Sequence, residues 1–151
     1  MIYLPMSFTH DWRFFGQLPK DFSYAVEICN AGLMGPEYQK VLENHGAAHV
    51  YNHWFYMPSQ AEQHQRMGRF TPPFTVLRLL TPLNISYEAA KKRAEPYTKI
   101  VGELPEMRRE TVELVGKAVA ENWRSYVLVN NRSEGNAPLT VQALTEMLSK
   151  E

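Results

Sequence analysis

The chain has 151 residues, enough for one domain with a sizeable core. Lys and Arg together number 16, as do Asp and Glu, so the net charge is zero and bulk charge holds neither nucleic acid nor an anionic membrane. With 44% hydrophobic and 12% aromatic residues the chain has the composition of a folded protein, and its single cysteine, Cys29, excludes an intrachain disulfide framework and a cysteine-based zinc site.

Taken in chain order, residues 1–5 predict a short strand and residues 8–16 a helix closed by Gly16 and Pro19. In Ser23 to Cys29, Tyr24, Val26 and Ile28 alternate with Ala25 and Glu27, the period of a strand. Residues 35–45 follow as a helix, with Pro36 in its first turn and Gly46 just past its end. Ala47 to Asn52 is the next strand. A loop rich in Gln and Pro covers about 56–73, with a short helix near 59–66. Phe74 to Leu80, bounded by Pro72, Pro73 and Pro82, is the clearest strand. Two helices are expected near 86–95, capped by Ser86, and 105–122, where Met107, Val112, Leu114, Val115, Ala118 and Val119 form an apolar stripe. Ser125 to Asn130 is a strand, residues 130–138 a loop, and residues 138–149 the last helix. Strand and helix alternate about five times, which implies a parallel sheet covered by helices, an α/β fold in one domain over residues 1–151. The N-terminus has no basic start and makes a poor signal peptide. No apolar run approaches the length of a membrane span, and the single cysteine fits a reducing cytoplasm, the setting expected.

In parallel β/α folds ligands bind at the carboxyl ends of the strands. Those ends carry Glu27 and Cys29; Asn52, His53 and Trp54; Arg78; and Asn130 with Asn131. Glu27 and Arg78 each interrupt an apolar run, where a charge is costly unless it is paired or faces a polar pocket. They read either as a structural ion pair or as a carboxylate base and a cationic anchor for an anion, since the guanidinium fork fits carboxylate and phosphate. His49, Tyr51 and His53 share one face of a strand. His49 and His53 lie about 13 Å apart along it, too far for one metal ion. His53, near the strand end, is a candidate general acid or base, with a buried structural histidine as the rival reading. Trp54 is a candidate pocket wall. The stretch from Asn130 to Pro138 leads into a helix N-terminus whose free N–H groups would favour an anion; the rival is an ordinary turn. Cys29 without an evident activating partner reads as structural. Nucleotide-binding glycine motifs, the serine nucleophile elbow and the helical His-Glu zinc motif are absent, so the sequence indicates no cofactor and no metal.

The runs Ser23-Tyr24-Ala25-Val26-Glu27, His49-Val50-Tyr51-Asn52-His53-Trp54, Thr75-Val76-Leu77-Arg78-Leu79, Tyr126-Val127-Leu128-Val129-Asn130-Asn131 and Glu134-Gly135-Asn136-Ala137-Pro138 resemble the domain-of-unknown-function 72 (YecE-like) family. The resemblance runs from about Leu4 to Leu148. It implies a parallel-strand TIM-type (β/α) barrel with no established activity, and it maps the family's polar strand-end positions onto Glu27, Arg78, Asn130 and Asn131. Cys29 stands where the family usually carries Arg. The family's first strands have no counterpart, so the resemblance implies a partial barrel of about five βα units, roughly strand four onward. A whole barrel takes about 250 residues, and open sheet edges recruit partners, so a homodimer or larger homo-oligomer is expected.

The expected function is a polar pocket that binds or acts on a small phosphate- or carboxylate-bearing molecule. In it Glu27 is the base, His53 an acid or base, Arg78 the anion anchor, Asn131 an orienting donor, and Asn130 and Trp54 are lining groups. The alternatives are a non-catalytic binding or assembly module, and a metal-dependent hydrolase using Glu27 and His53.

Overall fold

The structure is a computed structural model that describes residues 2–3 and 13–150. Its elements are β1 (Ile2–Tyr3), α1 (Arg13–Gln17), β2 (Ala25–Glu27), a 3-10 turn at Ala31–Leu33, α2 (Pro36–His45), β3 (Ala48–His53), α3 (Gln60–Met67), β4 (Phe74–Leu79), α4 (Tyr87–Ala94), α5 (Pro105–Ala120), β5 (Arg124–Val129), α6 (Asn131–Glu134) and α7 (Ala137–Leu148). Of the expected first helix, residues 8–12 lie outside the described residues. The five strands form one parallel sheet in the order β1-β2-β3-β4-β5. This is the alternation that the sequence implies, with each strand laid beside the one before it.

Local chemistry sets the element boundaries. Pro36 starts α2, and Gly46 ends it in the left-handed region at φ 58°. Ser59 and Ser86 accept hydrogen bonds from Glu62 N and Ala89 N, both at 3.3 Å, and so cap α3 and α4. The loop expected at 130–138 instead holds the one-turn helix α6, which Asn130 caps through a 3.0 Å bond from Arg132 N–H. Asn favours both turns and caps, so loop composition alone did not separate the two.

The core lies between the sheet and the helices. Val26 and Ile28 pack with Tyr38 and Leu42 of α2 and Met67 of α3. Tyr51 and Leu77 pack on Leu114, Val115 and Ala118 of α5. Leu79 packs with Met107, Val112 and Leu144 of α5 and α7. Two buried glutamines fix α3 to β3. Gln60 donates to Tyr51 O at 3.0 Å and accepts from Thr111 of α5 at 2.8 Å, while Gln63 donates to Asn52 O at 2.6 Å. The Gln-rich stretch is therefore partly core, and each amide is satisfied by a strand carbonyl. Among the described residues no helix is long and apolar enough to cross a membrane.

Candidate functional site

Residue alternation along the strands decides which side chains can meet. In β3, His49, Tyr51 and His53 face the helices, whereas Asn52 faces the other side of the sheet. There it pairs in register with Arg78 of β4. Glu27, the last residue of β2, lies on this same face. Arg78 NH1 forms an ion pair with Glu27 Oε2, and Asn52 Nδ2 donates to Glu27 Oε1 at 3.2 Å and to Ile28 O at 2.9 Å. Glu27 is 2% exposed and both of its oxygens are engaged, whereas the Arg78 side chain is 31% exposed. The buried carboxylate thus holds the guanidinium at the cavity wall.

The cavity measures about 380 Å³, within the range of small-molecule sites. Glu27, Cys29, Trp54, Arg78 and Asn130 line it, each at or just past a strand end. Arg132 and Tyr87 complete one wall, and neither was singled out from the sequence. Arg132 NH1 donates to Asn130 Oδ1 at 3.0 Å, and its guanidinium lies 4.3 Å from the centre of the Tyr87 ring. Its Nε–H is buried without a partner, and it makes no ion pair among the described residues. Among the described residues the cavity therefore carries two guanidinium groups and one carboxylate, and the carboxylate is committed to Arg78. The hydroxyl of Thr81, also in the lining, is buried and has no partner. The signal for Arg132 was present in the sequence as a cation two residues past the strand-end Asn130. The expected anion donors in that stretch are backbone N–H groups at the helix start, whereas the structure offers the Arg132 side chain.

His53 is not brought to this cavity. It is 5% exposed on the helix-facing side, and its Nδ1 lies 2.8 Å from the carbonyl of Thr81, so Nδ1–H is the donor. Burial pushes its pKa below the ordinary value. Asn131 lines a neighbouring cleft rather than the cavity of Arg78. Its Oδ1 accepts from Ala137 N–H at 2.8 Å, and Asn136 Oδ1 accepts from Leu139 N–H at 2.9 Å. With Pro138 lacking an N–H, the start of α7 offers no free backbone donor, which corrects the expectation of an anion site at that helix end. Glu134 is buried, not a pocket residue. It accepts from Leu104 N at 2.6 Å, from Arg108 Nε and NH2 at 3.1 and 2.9 Å, and from Thr140 Oγ1 at 2.8 Å. Among the described residues no three His, Cys, Asp or Glu side chains gather as a metal-binding group.

The sequence model of the family described as "Protein of unknown function DUF72" matches residues 1–151. Two solved structures are similar to this one. A DUF72 family protein of Thermotoga maritima is 18% identical with a TM-score of 0.55, the likeness covering 91% of this chain and 49% of that one. A DUF72 family protein of Enterococcus faecalis is 15% identical with a TM-score of 0.60, covering 91% and 51%. The chain thus spans about half the length of the solved proteins it matches. Comparison with curated proteins gave no match.

Proposed function

The chain belongs to the DUF72 family, and from that premise we propose that the cavity at the strand ends binds a small anion carrying a phosphate or carboxylate group. The observation that carries this is Arg132, a guanidinium set in the cavity wall by Asn130 and Tyr87 with no carboxylate among the described residues to neutralise it. Arg78, steadied by Glu27, presents its remaining donors to the same space, and Trp54 supplies an apolar wall. Paired guanidinium groups suit planar or tetrahedral oxyanions. Glu27, engaged on both oxygens, and His53, on the far side of the sheet, leave the cavity a binding site rather than an acid–base centre. The test is calorimetric titration with inorganic phosphate and with acetate. Saturable binding that Arg132→Gln and Arg78→Gln each weaken by about tenfold or more supports the proposal. No binding of either anion to the native chain overturns it.

We also propose that the sheet is an arc of a TIM-type barrel. The all-parallel sequential strand order, the helices packed on one face and the cavity at the strand carboxyl ends support this. A second reading, as an assembly module, is favoured by β5. Its Tyr126 and Leu128 are 49% and 43% exposed on the face away from α5 and α7, although both faces of a parallel sheet are normally covered. In that reading a second copy of the chain covers β5. A cytoplasmic setting suits a chain with one cysteine.

A further inference from the structure

The cavity of Arg78 shares two of its walls with another. A cleft of about 330 Å³ is lined by Tyr97, Val129, Asn131 and Ala137, and by Asn130 and Arg132, which also line the first cavity. The two spaces adjoin at Arg132 and Asn130, which line both.

Hydrogen bonds fix the polarity of this cleft. Asn130 Oδ1 accepts from Arg132 N–H and from Arg132 NH1, both at 3.0 Å. Asn131 Oδ1 accepts from Ala137 N–H at 2.8 Å. An N–H is answered only by the oxygen of a carboxamide, so both amide orientations follow from the network. Each Nδ2, a double donor, is left without a hydrogen-bond partner among the described residues. The Arg132 Nε–H is in the same position, and it is buried. Among the described residues no Asp or Glu lines the cleft. Its available polar side chains are therefore donors, apart from the Tyr97 hydroxyl, which both donates and accepts. The Arg132 Nε–H, kept from water without a partner, is costly and calls for an acceptor atom, and the two amides that line the cleft add further donors.

We infer that the two adjoining spaces take a dicarboxylate, a ligand with an acceptor group at each end. One carboxylate sits with Arg78 in the larger cavity, the other with the amides of Asn130 and Asn131, and Arg132 lies between them. This inference rests on the anion-binding reading of the first cavity. It adds a second subsite that explains why two carboxamides and a guanidinium follow β5 directly. No backbone N–H of α7 takes part, since those groups are already engaged.

The test is calorimetry on the 151-residue chain with acetate, inorganic phosphate, succinate, glutarate and adipate. At least one diacid is expected to bind about tenfold or more tightly than acetate. Asn131→Asp retains the oxygen that caps Ala137 N–H but replaces the donor with a second anionic oxygen. It should bring the preferred diacid back to the level of acetate, with thermal denaturation showing that the fold persists. Asn130→Asp makes the same exchange at the other amide and serves if the first variant does not fold. Acetate or phosphate binding with no diacid tighter overturns the second subsite and leaves the anion cavity standing. A diacid advantage that survives both Asp variants does the same. Failure of every probe to bind overturns both proposals.

Discussion

Glu27 and Arg78 show how one side chain can be legible while its role is not. A carboxylate and a guanidinium inside apolar strands had to meet a partner or a pocket, and the pleat placed them on one face where they meet each other. Glu27→Gln should lower stability by about 1–3 kcal/mol. That is less than for a fully buried pair, because water reaches Arg78; urea denaturation measures it, and an unchanged midpoint would mean that solvent already replaces the pair. His49 gives a second expectation. It is held neutral by burial, which takes its pKa from 6.5 to about 4. Its Nε2–H faces Gln63 Oε1 at 3.2 Å, and its Nδ1 accepts from the Tyr38 hydroxyl at 2.9 Å. Between those two pH values the unfolded chain takes up a proton that the native imidazole refuses. Stability should thus be complete above pH 6.5 and fall by roughly 3 kcal/mol as the pH drops toward 4. Burial moves His53 and His64 in the same direction. His49→Asn should make the slope of denaturation midpoint against pH shallower over that window.

At the scale of elements, the joint between α6 and α7 positions the site. Gly135 sits at φ 116°, a conformation that other residues rarely adopt. A Cβ there would lie 2.5 Å from Lys99 O and 2.9 Å from Val101 N. This close approach brings the α4–α5 connection against α6, where Val101 N donates to Glu134 O at 2.7 Å. Gly135→Ala should therefore cost roughly 2–4 kcal/mol from strain and overlap together. It should also loosen Arg132, which would appear in calorimetry as weaker anion binding at temperatures where the variant is still folded. The helices and strands themselves were legible because their apolar periods are strong and Pro, Gly and Ser mark their ends. The short helix α6 was not, since Asn, Arg, Ser and Glu carry no apolar period over one turn.

At the scale of the molecule, β5 is a sheet edge with no further strand beside it among the described residues, and it bears exposed Tyr126 and Leu128. If a second copy covers it, sedimentation of the 151-residue chain should show a concentration-dependent dimer or larger species. Leu128→Lys combined with Tyr126→Lys should return it to a monomer without loss of helical circular dichroism. A monomer at every concentration would remove the assembly reading and leave the binding cavity unaffected.

The sequence by itself determined the alternation of strands and helices, the parallel sheet, and the polar residues at the strand ends, because these follow from period and local chemistry along the chain. Only the tertiary structure decided which of those residues share a space. Strand pleating sent His53 to the helices and Glu27 to Arg78. Packing of α4 against α6 brought Tyr87 over Arg132 across 45 positions of sequence. The capping demands of α6 and α7 turned the Asn130 and Asn131 oxygens to Arg132 N–H and Ala137 N–H, which leaves their nitrogens without a hydrogen-bond partner among the described residues. The meetings of Glu27 with Arg78 and of Tyr87 with Arg132 depend on contacts between distant segments, and no local pattern encodes them.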